Sequence, residues 1–395
     1  MKIIYLHQYF LTPEQGGAIR SYHLAKALVE AGHEVEMITS YNHPTYHFEN
    51  IEGINVHYLP VYYENNLKFF GRLISFIKFI YRAYIKATEI ENVDLCYATS
   101  TPLTIGIIAL WLKRMHRIPF YFEVRDLWPE APIQMGTIKN YFLKKYLFYL
   151  ENKIYKKATR LIALSPGIQE SIQKKVPKKI VHLIPNFSDC VFFHPEEKTT
   201  ELENKFNVHG KFVISYFGAL GRANHLDYLI EIASTLSKKK TDSIHFIIAG
   251  KGSELLLIKE KVKSLQLTNI SFIGFINKIS LHEMLTITDA IYISFANKPI
   301  LETNSPNKFF DGLASGKLCI SNTRGWLKEL IEKNDCGFYY DPEIPTDFID
   351  KIIPYTNDKN LLKLSQLNAR RLAEREFSKE IMVEKLLTLI NNQNL

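Results

Sequence analysis

One stretch of the sequence joins a strand to a helix and that helix to the next strand. Residues 291–295 (IYISF) are apolar and prone to β structure, which predicts a buried strand. Ser305 is a favourable N-cap residue and Pro306 suits the first helical position, so we expect a helix to begin there. Gly316 ends the helix, and residues 318–320 (LCI) begin another strand. The stretch therefore predicts a helix N-terminus at the carboxyl end of a buried strand.

The start of this helix has the properties of an anion-binding site. Free backbone N–H groups and the positive end of the helix dipole both favour an anion at a helix N-terminus. Lys308 adds a positive charge in the first turn, where it opposes the dipole unless a phosphate lies between them. Asp311 lies one turn further on, where an acidic side chain can accept hydrogen bonds from sugar hydroxyls. The alternative at this point is an ordinary capped helix with one exposed lysine.

Strand and helix patterns alternate along the chain. The first half begins with a strand at 2–7, a loop that contains Gly16 and Gly17, and a helix that Gly32 ends. The second half repeats this plan from a strand at 212–217. Such alternation predicts an α/β protein with doubly wound parallel sheets.

A polar, charged segment divides the two halves. Residues 195–210 are the best candidate for a linker. We therefore expect a first Rossmann-like domain over residues 1–195 and a second over residues 196–375. After Pro345 the pattern is mostly helical, and we expect the last helix, at 376–395, to pack back toward the first domain.

Composition limits the function classes. The 395 residues are 46% hydrophobic, which is enough for two domains with cores of their own. A net charge of +8 and a pI near 9.0 favour an anionic partner: a phosphate, a nucleic acid or an acidic membrane surface. The four cysteines form no CxxC motif, so they indicate neither a zinc site nor a disulfide framework, and we expect a reduced, cytoplasmic protein. The N-terminus lacks the apolar core of a signal peptide, and the longest apolar run, 103–112, is too short to cross a bilayer.

Short motifs spread over nearly the whole chain resemble those of one family. The most specific are DLWPE at 126–130 and, far downstream, SPNKFFD at 305–311. The others are GG at 16–17, GHEV at 32–35, LSPG at 164–167, IPN at 184–186 and FG at 217–218. The chain resembles the retaining GT-B glycosyltransferases of the family 4 type, in particular bacterial O-antigen and capsule sugar transferases of the fucosamine-transferase-like kind. This resemblance implies two Rossmann-like domains facing a central cleft, a nucleotide sugar (UDP-linked) as substrate, no cofactor and no metal ion.

The same resemblance implies which residues bind the nucleotide sugar. Lys308 falls near the diphosphate and Asp311 at the position of the ribose ligand. Ala219 and Asn224 replace a basic pair that the family often carries, and Arg222 between them is the expected substitute. The implied donor-binding residues are Gly16, Gly17, Gly218, Gly250, Gly252, Ser305, Asn307 and Asp311.

For catalysis, the resemblance implies a transfer on one face of the sugar, in which the leaving diphosphate takes the proton. Such a reaction needs positioning and charge stabilisation more than a strong base. The implied catalytic residues are Asp126, Lys308 and Arg222. For Asp126 the alternative is a structural ion-pair network with Glu123 and Arg125.

Two segments have the composition of helices that dock on an anionic bilayer. Residues 67–91 and 139–160 interleave basic residues with Phe, Ile, Leu and Tyr. The alternative is a pair of core-facing helices with solvated basic faces. Together with the resemblance, docking implies a polyprenyl-diphosphate-linked sugar acceptor and a peripheral position on the inner face of the cell membrane. The cations that we expect to contribute are Lys68, Arg72, Lys144 and Lys145.

Other functions stay open from the sequence. Another GT-B enzyme, such as a nucleotide-sugar epimerase or a phosphorylase, would use the donor without a lipid acceptor. A nucleotide-binding interaction protein without catalysis is compatible with the missing basic pair. Nucleic acid is not an expected partner, because it would explain the charge but not the cleft motifs.

Overall fold

The chain folds into two β-sheets, one from each half. The computed structural model describes residues 1–17, 19–64, 67, 69–239 and 243–392. The first half forms an eight-stranded sheet and the second half a six-stranded sheet. This arrangement confirms the predicted α/β fold with two Rossmann-like, doubly wound parts.

The first sheet is parallel except at one edge. Its strands are β1 Lys2–Leu6, β2 Glu34–Tyr41, β3 His47–Ile51, β4 Ile54–Pro60, β5 Leu95–Thr99, β6 Phe120–Val124, β7 Arg160–Ala163 and β8 Val181–Leu183. They lie in the order β3-β4-β2-β1-β5-β6-β7-β8, and only β3 is antiparallel to its neighbour. The hairpin of β3 and β4 was not predicted, because β3 is exposed and has no alternating apolar pattern. Its turn residues, Glu52 and Gly53, both have positive φ, as a tight hairpin turn requires.

The second sheet is parallel throughout. Its strands are β9 Phe212–Ala219, β10 Ile244–Lys251, β11 Ile270–Gly274, β12 Ala290–Ile293, β13 Leu318–Ser321 and β14 Gly337–Tyr339. They lie in the order β11-β10-β9-β12-β13-β14, so the strand order reverses between β9 and β12. In such sheets ligands bind in the crevice outside the carboxyl ends of the strands at this reversal.

Helices connect the strands and form the C-terminal part of the chain. They are α1 Arg20–Glu30, α2 Phe69–Glu89, α3 Ile105–His116, α4 Glu130–Gln134, α5 Tyr141–Lys157, α6 Pro166–Lys175, α7 Thr200–Phe206, α8 Asp227–Lys238, α9 Leu255–Ser264, α10 Lys278–Thr286, α11 Asn307–Ala314, α12 Trp326–Lys333, α13 Asp347–Asn357, α14 Lys359–Leu372 and α15 Lys379–Asn391. A 3₁₀ helix, Pro299–Thr303, precedes α11, and a π-helical turn, Ala373–Phe377, joins α14 to α15. The expected helical character after Pro345 is confirmed.

The last helix contacts the first half of the chain. Met382, Leu386 and Ile390 of α15 are fully buried in a core that includes the strands of the first sheet. The Tyr121 hydroxyl on β6 donates to the Leu389 carbonyl over 3.3 Å. The division of the chain into domains at residues 195 and 375 stays a prediction.

The start of α11 differs from the prediction by one position. Pro306, not Ser305, occupies the N-cap, and no side chain caps the helix. The Ser305 hydroxyl instead accepts from the Asn186 N–H over 3.4 Å, and the Asn186 side-chain amide donates to the Ser305 carbonyl. A contact between the two halves of the chain therefore replaces the local cap that the sequence favours, so the prediction of Ser305 as the N-cap is wrong.

Candidate active site

A cavity of about 560 Å³ lies between the two halves of the chain. It opens at the carboxyl ends of β9, β10 and β12, where the strand order reverses, and at the N-terminus of α11. Gly17 and Asp126 line it from the first half. From the second half it is lined by Phe217, Gly218, Ala219, Asn224, Ala249, Gly250, Lys251, Phe275, Ile276, Leu281, Phe295, Asn304, Ser305, Pro306, Asn307, Lys308 and Asp311.

Lys308 is a buried cation in this cavity. It lies in the first turn of α11, and its side chain is 8% exposed. Its Nζ has no hydrogen-bond partner among the described residues and lies 3.6 Å from the centroid of the Tyr216 ring. Burial lowers the pKa of Lys308 well below its usual value. An unpaired buried ammonium group at a helix N-terminus is the feature that an anionic ligand would complete.

Glycines let the backbone of β9 approach Lys308 and β10. A methyl group on Gly218 would lie 3.6 Å from the Lys308 Nζ, and the φ of Gly218, 126°, disfavours any other residue. A methyl group on Gly250 would lie only 1.9 Å from the Gly218 carbonyl oxygen. Gly218 and Gly250 therefore leave the floor of the cavity open to a ligand and keep the two strands together.

Asp311 lies one turn beyond Lys308 and lines two cavities. Besides the larger cavity, it borders a small one of about 80 Å³ that Gly16 and Gly17 also line. Burial raises the pKa of Asp311 to about 7, although the charge of Lys278 opposes this shift. The carboxyl group is therefore only partly ionised at neutral pH.

The first half contributes Asp126 through the loop after β6. Burial raises the pKa of Asp126, and the neighbouring charge of Arg125 acts against this shift. Glu123 forms no ion pair with Arg125 in the part of the chain that the structure describes, although the Arg125 charge acts on the pKa of both Glu123 and Asp126. It pairs instead with Arg20 of α1, at 2.9 Å from the Arg20 Nη2, and accepts from the hydroxyls of Tyr97 and Thr99. Asp126 lines the cavity, whereas Glu123 is fully buried in its ion pair with Arg20.

Two predicted residues do not line the cavity. The Arg222 side chain is 85% exposed and lies 3.6 Å from Glu254. Gly252 packs against the backbone instead, since a methyl group there would lie 2.2 Å from the Leu220 carbonyl oxygen. The structure brings Gly16, Gly17, Gly218, Gly250, Ser305, Asn307, Lys308, Asp311 and Asp126 to the two cavities.

Sequence reasoning missed a second cation. Lys251, at the end of β10, lines the larger cavity, and its Nζ lies 4.5 Å from the centroid of the Phe275 ring. The signal was present, because Lys251 lies between the two glycines that had been assigned to this site. The site thus offers a helix N-terminus, two cations and a carboxyl group, a set suited to an anion that carries hydroxyl groups.

Comparisons with known proteins agree with this geometry. A family model described as Glycosyl transferase 4-like domain matches residues 15–186, and one described as Glycosyl transferases group 1 matches residues 197–372. The chain is 23% identical over 386 residues to the alpha-monoglucosyldiacylglycerol synthase of Streptococcus pneumoniae, covering 92% of this chain and 82% of that protein.

Solved structures show the same fold. Sucrose-phosphate synthase from Thermosynechococcus elongatus superposes with a TM-score of 0.80 at 15% identity, covering 99% of this chain and 98% of that chain. The Anabaena protein HepE, in complex with UDP and glucose, superposes with a TM-score of 0.71 at 18% identity, covering 99% of both chains.

The two facing sheets, the cavity between them and these matches define a glycosyltransferase of the GT-B fold. The chain belongs to the family 4 type, with a glycosyl transferase 4-like first part and a group 1 second part. The resemblance inferred from the motifs is confirmed, whereas the roles of the individual site residues stay predictions.

The geometry of Lys308 leads to a prediction about stability. Its pKa is lower in the folded protein than in the unfolded chain, so between these two pKa values the unfolded chain binds more protons and stability rises with pH. We expect Lys308→Met to stabilise the ligand-free protein at pH 7 by about 1–3 kcal/mol, the cost of burying a polar group without a partner. The gain should shrink as the pH approaches the usual lysine pKa. Denaturant titrations at several pH values measure it.

Lys251→Met is the matched control, because Lys251 borders the same cavity but is exposed. It should leave both the stability and its pH dependence nearly unchanged. If Lys308→Met gives no gain at pH 7, or a gain independent of pH, the Lys308 ammonium group is not destabilising in the free protein.

Proposed function

We propose that this protein is a retaining glycosyltransferase that moves a sugar from a UDP-sugar to a polyprenyl-diphosphate-linked saccharide. Its place would be the synthesis of a bacterial surface polysaccharide such as O-antigen or capsule. The observation that carries the proposal is Lys308, a buried and unpaired cation at a helix N-terminus in the cleft. UDP as the nucleotide is supported by the complex of the Anabaena relative with UDP and glucose.

In the proposed complex the diphosphate binds at the start of α11. The N–H groups of the first turn and the Lys308 ammonium group donate to it, and Gly218 leaves room for its close approach. Lys251 supplies the second cation that Ala219 and Asn224 do not provide. Asp311 accepts hydrogen bonds from the ribose hydroxyls.

The transfer follows from this placement. The sugar lies toward Gly17 and Asp126, which line the cavity from the first half. The acceptor hydroxyl attacks the anomeric carbon on the face from which the diphosphate leaves, and the leaving phosphate oxygen takes the proton. Negative charge that develops on the leaving diphosphate is stabilised by Lys308 and the helix N-terminus. Asp126 positions the sugar by accepting from one of its hydroxyls.

The lipid-linked acceptor is supported by the surface of the first half. Large hydrophobic side chains on α2 and α5 are exposed, including Phe70 at 73% and Phe142 at 78%. A groove of about 780 Å³ between α2, α3 and α5 has mostly apolar walls. Its cationic lining residues are Lys113, Arg114, Lys153 and Lys157. Apolar surface with basic residues beside it is typical of peripheral binding to an anionic bilayer.

In the proposal, this surface binds peripherally to the inner face of the cell membrane. Within the described part of the chain, no helix combines the length and the apolar character that crossing a bilayer needs. Of the cations expected to take part, Lys68 lies outside the described residues, and Arg72 donates to the Leu67 carbonyl.

One experiment tests the function directly. The purified protein is incubated with a panel of UDP-sugars and with polyprenyl-diphosphate-linked saccharides, and products are resolved by mass spectrometry and by NMR of the new linkage. We expect one UDP-sugar to give an elongated lipid-linked product that keeps the anomeric configuration of the donor. Epimerised donor would indicate an epimerase, and a sugar 1-phosphate would indicate a phosphorylase. UDP binding without turnover would indicate a nucleotide-binding protein without catalysis.

Asp311→Asn tests the ribose contact. We expect it to weaken UDP binding at pH 8 by about 1–3 kcal/mol, the range for a hydrogen bond to a charged group. Because the pKa of Asp311 is raised to about 7, the penalty should be smaller at pH 6, where the wild-type carboxyl is mostly protonated. It should also shrink for 2′-deoxy-UDP. Calorimetry with both nucleotides measures these differences, and an equal loss for the two would exclude the assigned contact.

A charge-removal variant tests docking. We expect replacement of Arg114, Lys145, Lys153 and Lys157 by Gln to lower binding to anionic vesicles at low salt, because each cation near such a surface contributes about 1 kcal/mol. Flotation at low and high salt measures the binding. Activity on a soluble acceptor should persist.

The control removes the same charge from the other half of the chain. Its exposed lysines Lys263, Lys333, Lys359 and Lys363, replaced by Gln, should leave vesicle binding unchanged. Equal losses in the two variants would mean that net charge, rather than this surface, attracts the protein. A wild-type protein that ignores anionic vesicles at low salt would refute docking.

A further inference from the structure

Two histidines and a glutamate meet outside the proposed donor site. His194 and Glu196 lie in the segment between β8 and α7, and His282 lies on α10. The Glu196 Oε1 is 2.9 Å from the His194 Nε2 and 3.3 Å from the His282 Nε2. One ligand atom from each residue lies within 4.8 Å of the other two. We call this group the linker triad.

Neighbouring groups orient each member of the linker triad. The His194 Nδ1 lies 3.2 Å from the Phe192 carbonyl oxygen, which fits a proton on Nδ1 and a free lone pair on Nε2. The Thr286 hydroxyl, on the last residue of α10, donates to the Glu196 Oε2 over 2.9 Å and leaves Oε1 free. The His282 ring packs edge-on against Phe192. Supporting contacts of this kind hold the ligands of metal sites in place.

These contacts leave lone pairs facing each other. With its proton on Nδ1, His194 presents an acceptor nitrogen to an acceptor oxygen of Glu196 at 2.9 Å. Two acceptors at this distance require a cation between them, either an additional proton or a metal ion. The Nδ1 of His282 is buried and has no partner in the part of the chain that the structure describes, so Nε2, 3.3 Å from the Glu196 Oε1, is the ring nitrogen that faces the other two ligand atoms.

We propose that the linker triad binds one divalent transition-metal ion of the zinc type. Two imidazole nitrogens and one carboxylate oxygen are a ligand set that Zn²⁺ takes, with water in the fourth position. The ion would join the segment that links the two sheets to α10. This helix also carries Lys278, whose Nζ lies 2.6 Å from Asp189 and which lines the small cavity beside Asp311.

Metal binding at the linker triad therefore fastens α10 to the linking segment. It takes no part in the transfer chemistry, and it depends on none of the residues assigned to the donor. Its effect is on the stability of the arrangement around α10 and the small cavity.

Calorimetry with ZnCl₂ and absorption spectra with Co²⁺ test the proposal on the full-length protein. We expect wild type to bind one Zn²⁺ ion per chain, and Co²⁺ to give the intense visible bands of a four-coordinate site. His194→Ala and His282→Ala should each weaken Zn²⁺ binding at least tenfold. Zn²⁺ should raise the melting temperature of wild type but not of these variants.

His209→Ala is the matched control, because His209 is exposed and lies 3.2 Å from Glu203 without a third ligand. It should bind Zn²⁺ as wild type does. Melting curves without metal show whether each variant is folded, and Glu196→Gln, which keeps an acceptor for Thr286, provides a second test. If wild type binds no Zn²⁺, or if the triad variants bind it as well as His209→Ala does, the proton explanation holds and the metal site is excluded.

Discussion

The central feature of the cleft is the ammonium group of Lys308, which has no ion-pair partner among the described residues and which the fold keeps out of water. Lys308 is almost completely buried, and its Nζ faces the Tyr216 ring rather than a carboxylate. A hydrophobic residue would pack there at lower cost, so stability does not account for this lysine, whereas the proposed anionic ligand would. Gly218 keeps the ammonium group accessible to a ligand, since a side chain at this position would lie against the Lys308 Nζ.

The position of Lys308 in turn depends on the first half of the chain. Three donors from that half hold α11 and the loop before it: the Ser165 hydroxyl to the Thr303 carbonyl, the Asn186 amide to the Ser305 carbonyl, and the Ser188 hydroxyl to the Phe310 carbonyl within α11. These bonds run from the ends of β7 and β8 to the start and middle of α11. The proposed anion site is therefore built on the second sheet but oriented by the first half of the chain, so a change in the relative position of the two halves would alter it.

Local signals predicted much of the fold and of the site, and nonlocal contacts account for what they missed. Apolar strands, glycine turns and the 305–311 motif were readable because each is contained in a few neighbouring residues. Ser305 was misassigned because Asn186, far away in sequence, competes for its hydroxyl. The pairing of Glu123 with Arg20, instead of with Arg125, has the same origin. The linker triad has no spacing motif at all, since α10 brings His282 to residues from a different segment.

Burial shifts the pKa values of the two ionisable groups of α11 in opposite directions, and each shift favours the uncharged form. It lowers the pKa of Lys308 well below its usual value and raises that of Asp311 to about 7, so both shifts favour the uncharged side chain in the free protein. A diphosphate beside Lys308 would favour the protonated amine, and hydroxyl donors at Asp311 would favour the carboxylate. Under the proposed function, donor binding thus favours the charged forms of both side chains. The attraction is then strongest for a ligand that supplies both an anion and a diol, and free phosphate, which offers only the anion, gains less. Under the proposed function, this coupling contributes to selectivity for a nucleotide over abundant inorganic anions.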